Sequence, residues 1–162
     1  MTLKELNEKY KRLFGKHGMY FEHGEGWADI LDAYFAVVDH YVKRASTYDI
    51  RQVKEKFGGL RIYDSVQTND KAVLAAIDEA RELAEARSFF VCEKCGQPGL
   101  LRGRGWYYVA CDEHATAKDG TIEPPTDPPV RVQIGSAEGT GWEAYDPDLD
   151  TFVPYDPDAE EG

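Results

Sequence analysis

All three cysteines of this 162-residue chain fall within twenty residues, and they combine with one histidine in a fixed pattern. Cys92-Glu93-Lys94-Cys95 is followed, fifteen residues later, by Cys111-Asp112-Glu113-His114. Two ligand pairs, each with two residues between its members, are the spacing with which short knuckles grip one tetrahedral ion. Gly96 follows the first pair where the chain must turn back. Pro98-Gly99 offers a second turn, and Leu100–Arg102 can pair with Trp106–Val109 across Gly103 and Gly105, which brings the knuckles together. The pattern predicts one zinc ion held by Cys92, Cys95, Cys111 and His114. A Cys3His set with no further cysteine disfavours an iron–sulfur cluster. Four protein ligands also leave no open position of the kind a catalytic zinc keeps, so the ion is expected to be structural. An ion of that kind supplies on the order of 10 kcal/mol of folding energy, enough to organise a glycine-rich, weakly apolar stretch.

The rest of the chain reads as elements of an α+β fold. Thr2 can cap a helix whose apolar positions are Leu3, Leu6, Tyr10, Leu13 and Phe14, ended by Gly15 and Gly18. A second helix, from about Trp27 to Lys43, carries a broad apolar stripe of Trp27, Ile30, Leu31, Tyr34, Phe35, Val38, Tyr41 and Val42. A third starts at Asn69 or Asp70 and runs to about Arg87, burying Val73, Leu74, Ile77, Ala80, Leu83 and Ala84. Between the last two, residues 50–63 alternate in two runs around Gly58-Gly59, which reads as a tight hairpin. With those glycines as the loop, Val53, Glu55, Phe57, Leu60 and Ile62 share one face, and Lys54, Lys56, Arg61 and Tyr63 the other. Glu55 on an apolar face needs a cation, and Arg51, Arg81 or Arg87 is expected to supply it.

Charge divides the chain. Residues 1–115 carry 17 Lys+Arg and 18 Asp+Glu, whereas residues 116–162 carry Lys118 and Arg131 against 12 acids, so the net charge of −11 resides almost wholly in the second part. That part also holds seven of the eight prolines, which excludes a long helix. The expected organisation is an α+β core over 1–115, with three helices packed on a hairpin and a zinc-ribbon or treble-clef-like unit at 90–115, then an acidic, proline-rich extension over 116–162. Within the extension, Val130–Ile134 alternates like a strand. No apolar run approaches the roughly 18 residues of a spanning helix, and the start of the chain does not resemble a secretion signal, so the expectation is an intracellular protein without a membrane partner.

The stretch Gln52-Val53-Lys54-Glu55-Lys56-Phe57-Gly58-Gly59-Leu60-Arg61-Ile62-Tyr63, then a helix, Cys-x2-Cys-Gly-x-Pro-Gly, a Trp and Cys-Asp-Glu-His-Ala, resembles a group of small bacterial and phage or prophage proteins over roughly residues 20–115. The resemblance implies a common zinc-bearing fold in a bacterial cytoplasmic setting and transfers no activity. Proteins of that group generally stop soon after the last ligand, so the acidic segment is a departure.

Three functional classes follow from these residues. An enzyme would need a nucleophile, a base or an open metal. The remaining histidines, His17, His23 and His40, are scattered, the deaminase pairing of His-x-Glu with Pro-Cys-x-x-Cys is absent, and His23-Gly24-Glu25-Gly26-Trp27 reads equally well as a glycine-rich lead into a helix. A nucleic-acid binder would use Lys54, Lys56, Arg61 and Tyr63 on the hairpin, with Arg102, Arg104, Trp106, Tyr107 and Tyr108 beside the zinc. The expectation that best absorbs the acidic segment is a non-catalytic interaction protein that modulates a host or phage complex. Trp142, Tyr145, Asp146, Phe152, Tyr155 and Asp156 would then dock on a partner protein, with mimicry of nucleic acid as one route.

Overall fold

The computed structural model describes residues 1–128, 131–136, 139–156 and 158–159, and the chain divides into two compact units, Met1–Thr126 and Asp127–Gly162. The first unit is α+β, with three main helical segments packed on a β-hairpin and a Cys3His cluster beside a small second hairpin. Its order is α1 (Leu3–Lys9), α2 (Lys11–Phe14), β1 (Phe21–Glu22), α3 (Ala28–Tyr41), β2 (Tyr48–Lys56), β3 (Gly59–Val66), α4 (Lys71–Ser88), β4 (Leu100–Arg102) and β5 (Tyr108–Ala110). No helix among the described residues is long and apolar enough to cross a membrane.

Local chemistry sets the helix boundaries. Thr2 and Glu5 form a reciprocal capping box on α1, and the Asp70 side chain accepts the Ala72 and Val73 amides at the start of α4. The first helix is broken at Tyr10 rather than continuous, because Tyr10 leaves helical geometry (φ −107°, ψ 26°) while its buried ring sends its hydroxyl to Asp32 of α3. On α3 the stripe Trp27, Leu31, Tyr34, Phe35 and Val38 is buried together with Leu6, Leu13, Val53, Leu60, Ile62 and Ile77. Tyr41, expected in that stripe, is 38% exposed.

The main sheet has the order β1-β2-β3, with β1 parallel to β2 and β2 antiparallel to β3. The hairpin loop is Phe57-Gly58, not Gly58-Gly59: Lys56 faces Gly59, Glu55 faces Leu60 and Val53 faces Ile62. Both loop residues have positive φ (52° and 89°), the geometry that matches strand twist in a two-residue turn. The register therefore differs from the expected one by two in the sum of paired positions, which keeps every strand residue on its predicted face and moves only Phe57, now 71% exposed at the tip. Glu55 is met by its own turn and not by Arg51 or Arg81. Its Oε1 accepts the Gly58 amide at 2.6 Å, Arg51 lies at a bulge and reaches Asp49, and Arg81 is committed to Asp64 and Asp78. A turn amide meets the carboxylate where a cation was expected.

Asp64, fully buried on β3, is the polar centre of the body. It accepts hydrogen bonds from Tyr34 of α3, Tyr48 of β2 and Arg81 of α4, the last through both Nε (2.9 Å) and Nη2 (2.8 Å). Four elements are thus fixed to one carboxylate, with its lone pairs satisfied as burial demands. Helix α4 also covers the free edge of β3: the Leu60 amide donates to Ser88 Oγ at 2.8 Å and the Ile62 amide to Glu85 Oε1 at 3.1 Å.

The second unit is an antiparallel meander of β6 (Arg131–Ser136), β7 (Gly139–Asp146) and β8 (Thr151–Tyr155). The strand expected over Val130–Ile134 corresponds to β6, with Val130 itself outside the described residues. Pro154 sits in β8, an edge strand, where a missing amide donor is tolerated.

Candidate metal centre

Cys92 and Cys95 come from the loop after α4, and Cys111 and His114 from the end of β5 and the helical turn that follows it. β4 and β5 pair as Leu100↔Ala110, Leu101↔Val109 and Arg102↔Tyr108, so the hairpin returns the second knuckle to the first. The Cys92 amide donates to the Gln97 carbonyl at 2.8 Å and the Gly96 amide to the Cys92 carbonyl at 2.9 Å, which closes the first knuckle into a tight turn. All four donor atoms lie within 4.8 Å of one another. The edges are 3.8 Å from Cys95 Sγ to Cys111 Sγ, 3.4 Å from Cys92 Sγ to His114 Nδ1 and 3.3 Å from Cys111 Sγ to His114 Nδ1. A tetrahedral ion with bonds of about 2.3 Å to sulfur and about 2.0 Å to nitrogen implies edges of about 3.8 Å and about 3.5 Å, so the donor set fits one such ion. The sulfur separation is far too long for a disulfide.

The electrostatics favour thiolate at the buried corner. Burial pushes the Cys92 thiol up, but backbone amides of Cys111, Cys95 and Lys94, with the Cys95 side chain, bring it down to about 6. Amide donors aimed at a sulfur favour the thiolate over the thiol, and the thiolate is the form that ligates a metal ion.

The knuckle is seated in the body by the residues His23–Trp27. The Gly26 amide donates to the Glu93 carbonyl at 2.7 Å, the Gly24 amide to Glu93 Oε1 at 3.0 Å, and the Trp27 indole to the Val91 carbonyl at 2.9 Å. A Cβ on Gly26 would stand 2.0 Å from the Cys92 carbonyl oxygen. The glycines of this motif exist for close backbone approach, and the pair flanking Glu25 immediately before a buried Trp was the available signal. On the opposite side, a Cβ on Gly59 would stand 2.4 Å from the Phe89 ring and one on Gly58 2.5 Å from Leu101, so the hairpin tip is docked on the metal unit as well. His23 packs between Phe21 and Trp27. Burial lowers its pKa, and its Nδ1 faces the Gly24 carbonyl at 2.8 Å.

Arg102, expected to contact nucleic acid, is 3% exposed. It donates to the carbonyls of Ala110 (3.0 Å) and Glu123 (2.6 Å) and to Asp112 Oδ1 (2.8 Å), bracing the second knuckle from within. Arg61 is paired with Glu85 at 3.6 Å, and half-buried Lys54 lies beside Glu22 in register. Tyr108 packs on the small cluster of Cys92, Ala110 and Ala115. Tyr63, Lys56, Arg104, Trp106 and Tyr107 are exposed. In the second unit Tyr145 is buried with its hydroxyl on Asp150 and its ring against Phe152, and Asp146 accepts amides of its own turn. Trp142 and Asp156 are exposed, and Phe152 and Tyr155 half-buried. His17, His23 and His40 take no part in the metal cluster. Comparison with protein-family models, curated proteins and solved structures gives no match for this chain.

Proposed function

We propose that this protein is a non-catalytic interaction protein whose body is stabilised by one structural zinc ion and whose acidic second unit is a docking arm for a basic partner protein. The observation that carries the reading is the completeness of the Cys3His cluster: four protein donors at tetrahedral spacing, seated through backbone hydrogen bonds on the α+β body. Zinc is favoured because three thiolates and an imidazole match its softness and geometry. The acidic unit supports the docking role, since residues 127–162 carry Arg131 alone against ten acids and form a sheet that displays exposed Trp142 among them. Mimicry of nucleic acid toward a basic surface is the route this charge suits best. The resemblance in the KEKFGGLR hairpin and CxxCG…CDEH knuckles supports a bacterial cytoplasmic, phage or prophage setting.

The test combines metal content with capture. One zinc per chain retained through dialysis, with a host or phage protein captured by the full chain and lost in 0.5 M salt or when residues 127–162 are deleted, is the expected result; the salt figure is about that needed to screen exposed charge. A readily exchanged ion with a displaceable water, or capture that does not depend on residues 127–162, overturns it.

A further inference from the structure

The two hairpin tips of the first unit lie side by side and display aromatic rings beside cations. The β2–β3 tip is Lys56-Phe57-Gly58-Gly59, and the β4–β5 tip is Gly103-Arg104-Gly105-Trp106-Tyr107. The tips touch through Gly58, whose ideal Cβ position is 3.2 Å from Tyr107 Cβ. Phe57 (71% exposed), Trp106 (80%) and Tyr107 (37%) therefore lie exposed on adjoining tips. Lys56 Nζ stands over the Phe57 ring, 5.8 Å from its centroid, and Arg104 lies two residues before Trp106. Neither cation has an ion-pair partner among the described residues, and neither tip contains an acid. The nearest carboxylate in sequence, Glu55, is turned back onto the Gly58 amide.

Solvent-exposed rings of this size carry a large unfavourable hydration cost that a protein core would normally remove. Here the fold holds them out. Phe57 is displayed because it occupies a positive-φ turn position (52°) at the hairpin tip, and Trp106 because it follows the tight Gly103–Gly105 turn, with its two positive φ values (101° and 86°), ahead of the start of β5. Each ring is carried by one paired hairpin, Phe57 by β2–β3 and Trp106 by β4–β5, so the backbone under it is already ordered when a flat ligand stacks.

We propose that this apex is a stacking platform for single-stranded nucleic acid, with bases on Trp106 and Phe57 and backbone phosphates on Lys56 and Arg104. Charge complementarity selects this occupant. A protein surface that suits exposed rings is apolar, and it would leave two unpaired cations desolvated at the centre of the contact. A strand of nucleic acid offers a ring face and an anion at each step. Duplex offers the anion but keeps its rings stacked inside. The site keeps Lys56, Arg104, Trp106 and Tyr107 of the nucleic-acid surface expected from the sequence, drops Arg61 and Arg102, which are already engaged, and adds Phe57; it does not depend on the acidic unit's role. Within residues 1–126, 18 basic side chains face 20 acidic ones, so the body does not itself repel a polyanion strongly.

The experiment measures binding of fluorescein-labelled oligothymidylate and oligouridylate, about 12 nucleotides long, to the full zinc-loaded chain by anisotropy, with the Trp emission followed in parallel. Saturable binding with quenched emission is expected, and Trp106→Phe should abolish the quench while keeping the affinity within about threefold, since a phenyl ring still stacks. Trp106→Ser and Phe57→Ser should each weaken binding about tenfold, and Lys56→Gln with Arg104→Gln should flatten the slope of log affinity against log salt by roughly 1. All four side chains are exposed, so the variants should melt like the parent. The ratio of the two oligomers tells whether DNA or RNA is preferred; either supports the platform. Unchanged binding in the two Ser variants, a duplex of equal length bound as tightly as the single strands, or no oligonucleotide binding with the tips instead protected from exchange by a protein partner would overturn it.

Discussion

The body formed by residues 3–88 and the metal unit that follows it are held together by different means. In the body, Trp27, Tyr34, Phe35, Leu6, Leu31 and Leu60 are all but fully buried, and the polar centre at Asp64 fastens four elements. In the metal unit the cluster beside the ligands is Cys92, Ala110 and Ala115, joined in the hairpin by buried Leu101 and Val109, far less apolar volume than the body buries and little to set against the entropy of ordering a loop-rich segment. Bonds to the proposed ion would take the place of volume there. The lesson is that the two regions share an interface made of glycine contacts, Gly26 on one side and Gly58 and Gly59 on the other, where backbone rather than side chain meets backbone and ring.

Removing the metal is the strongest way to break this comparison. Chelation, or Cys92→Ser, should cost on the order of 10 kcal/mol locally, and hydrogen exchange should show lost protection over residues 90–115 while α3, β2, β3 and α4 retain theirs. If protection in β4 and β5 survives chelation, the metal unit has a core of its own and the contrast fails.

The body should fail differently. Asp64→Ala leaves half-buried Arg81 with Asp78 alone and two buried tyrosine hydroxyls without their acceptor, which should destabilise the protein by about 3 kcal/mol. Metal content should stay at one ion per chain below the melting transition. Denaturation in urea with parallel metal analysis checks both, and metal loss ahead of unfolding would show that the two regions are not separable in this way.

How much of this was legible beforehand depends on which kind of force shapes each part. Periodicity exposed α3 because its core is large side chains at helical spacing, and α4 because Ile77 and Ala84 are buried on the apolar side that half-buried Val73, Leu74 and Leu83 extend, while ligand spacing exposed the metal site because knuckles are local. Thr2 was readable as a cap for the same reason, since the interaction spans three residues, whereas the sequence left Asn69 and Asp70 as alternatives and the structure uses Asp70. Asp64 was not legible, since its partners Tyr34, Tyr48 and Arg81 come from three separate elements and nothing local marks a buried carboxylate. Gly58-Gly59 misled because two glycines satisfy a turn, whereas one of them serves a ring contact with Phe89 and the turn accepts Phe57 at positive φ. Arg102 looked available because charge in a hairpin usually faces water; its three backbone and carboxylate acceptors lie up to twenty-one residues away.

The shared interface gives the next test. Gly26→Ala drives a methyl against the Cys92 carbonyl oxygen, a backbone atom that cannot swing aside, and Gly59→Ala drives one against the Phe89 ring, which can turn. Both should destabilise by about 1–3 kcal/mol, with Gly26→Ala at the upper end and also weakening metal retention, because its neighbour is a ligand residue. A competition titration with a chromophoric chelator separates them. Equal metal affinity in the two variants would mean that the seat on the body does not shape the knuckle.

The smallest effect concerns His23, which packs between Phe21 and Trp27 at the edge of that seat. Burial lowers its pKa from the ordinary 6.5, only partly opposed by the Gly24 carbonyl and Glu25. The unfolded chain therefore binds a proton at higher pH than the folded one, so the stability contributed by the neutral ring is fully present above about pH 6.5 and is lost as pH falls toward the lowered folded value. A single proton sets the limit, about 1.4 kcal/mol per pH unit. Metal ligands also titrate in acid, so the comparison is made at saturating zinc between the parent and His23→Phe. The variant loses a hydrogen bond at every pH, which shifts its stability by a constant, whereas only the proton changes the slope. Parent and variant should run parallel above pH 7 and converge between pH 6.5 and 5.5. Parallel curves throughout would show that His23 stays protonatable in the folded state and that the seat beside the knuckle is open to water rather than sealed by the Phe21 and Trp27 rings.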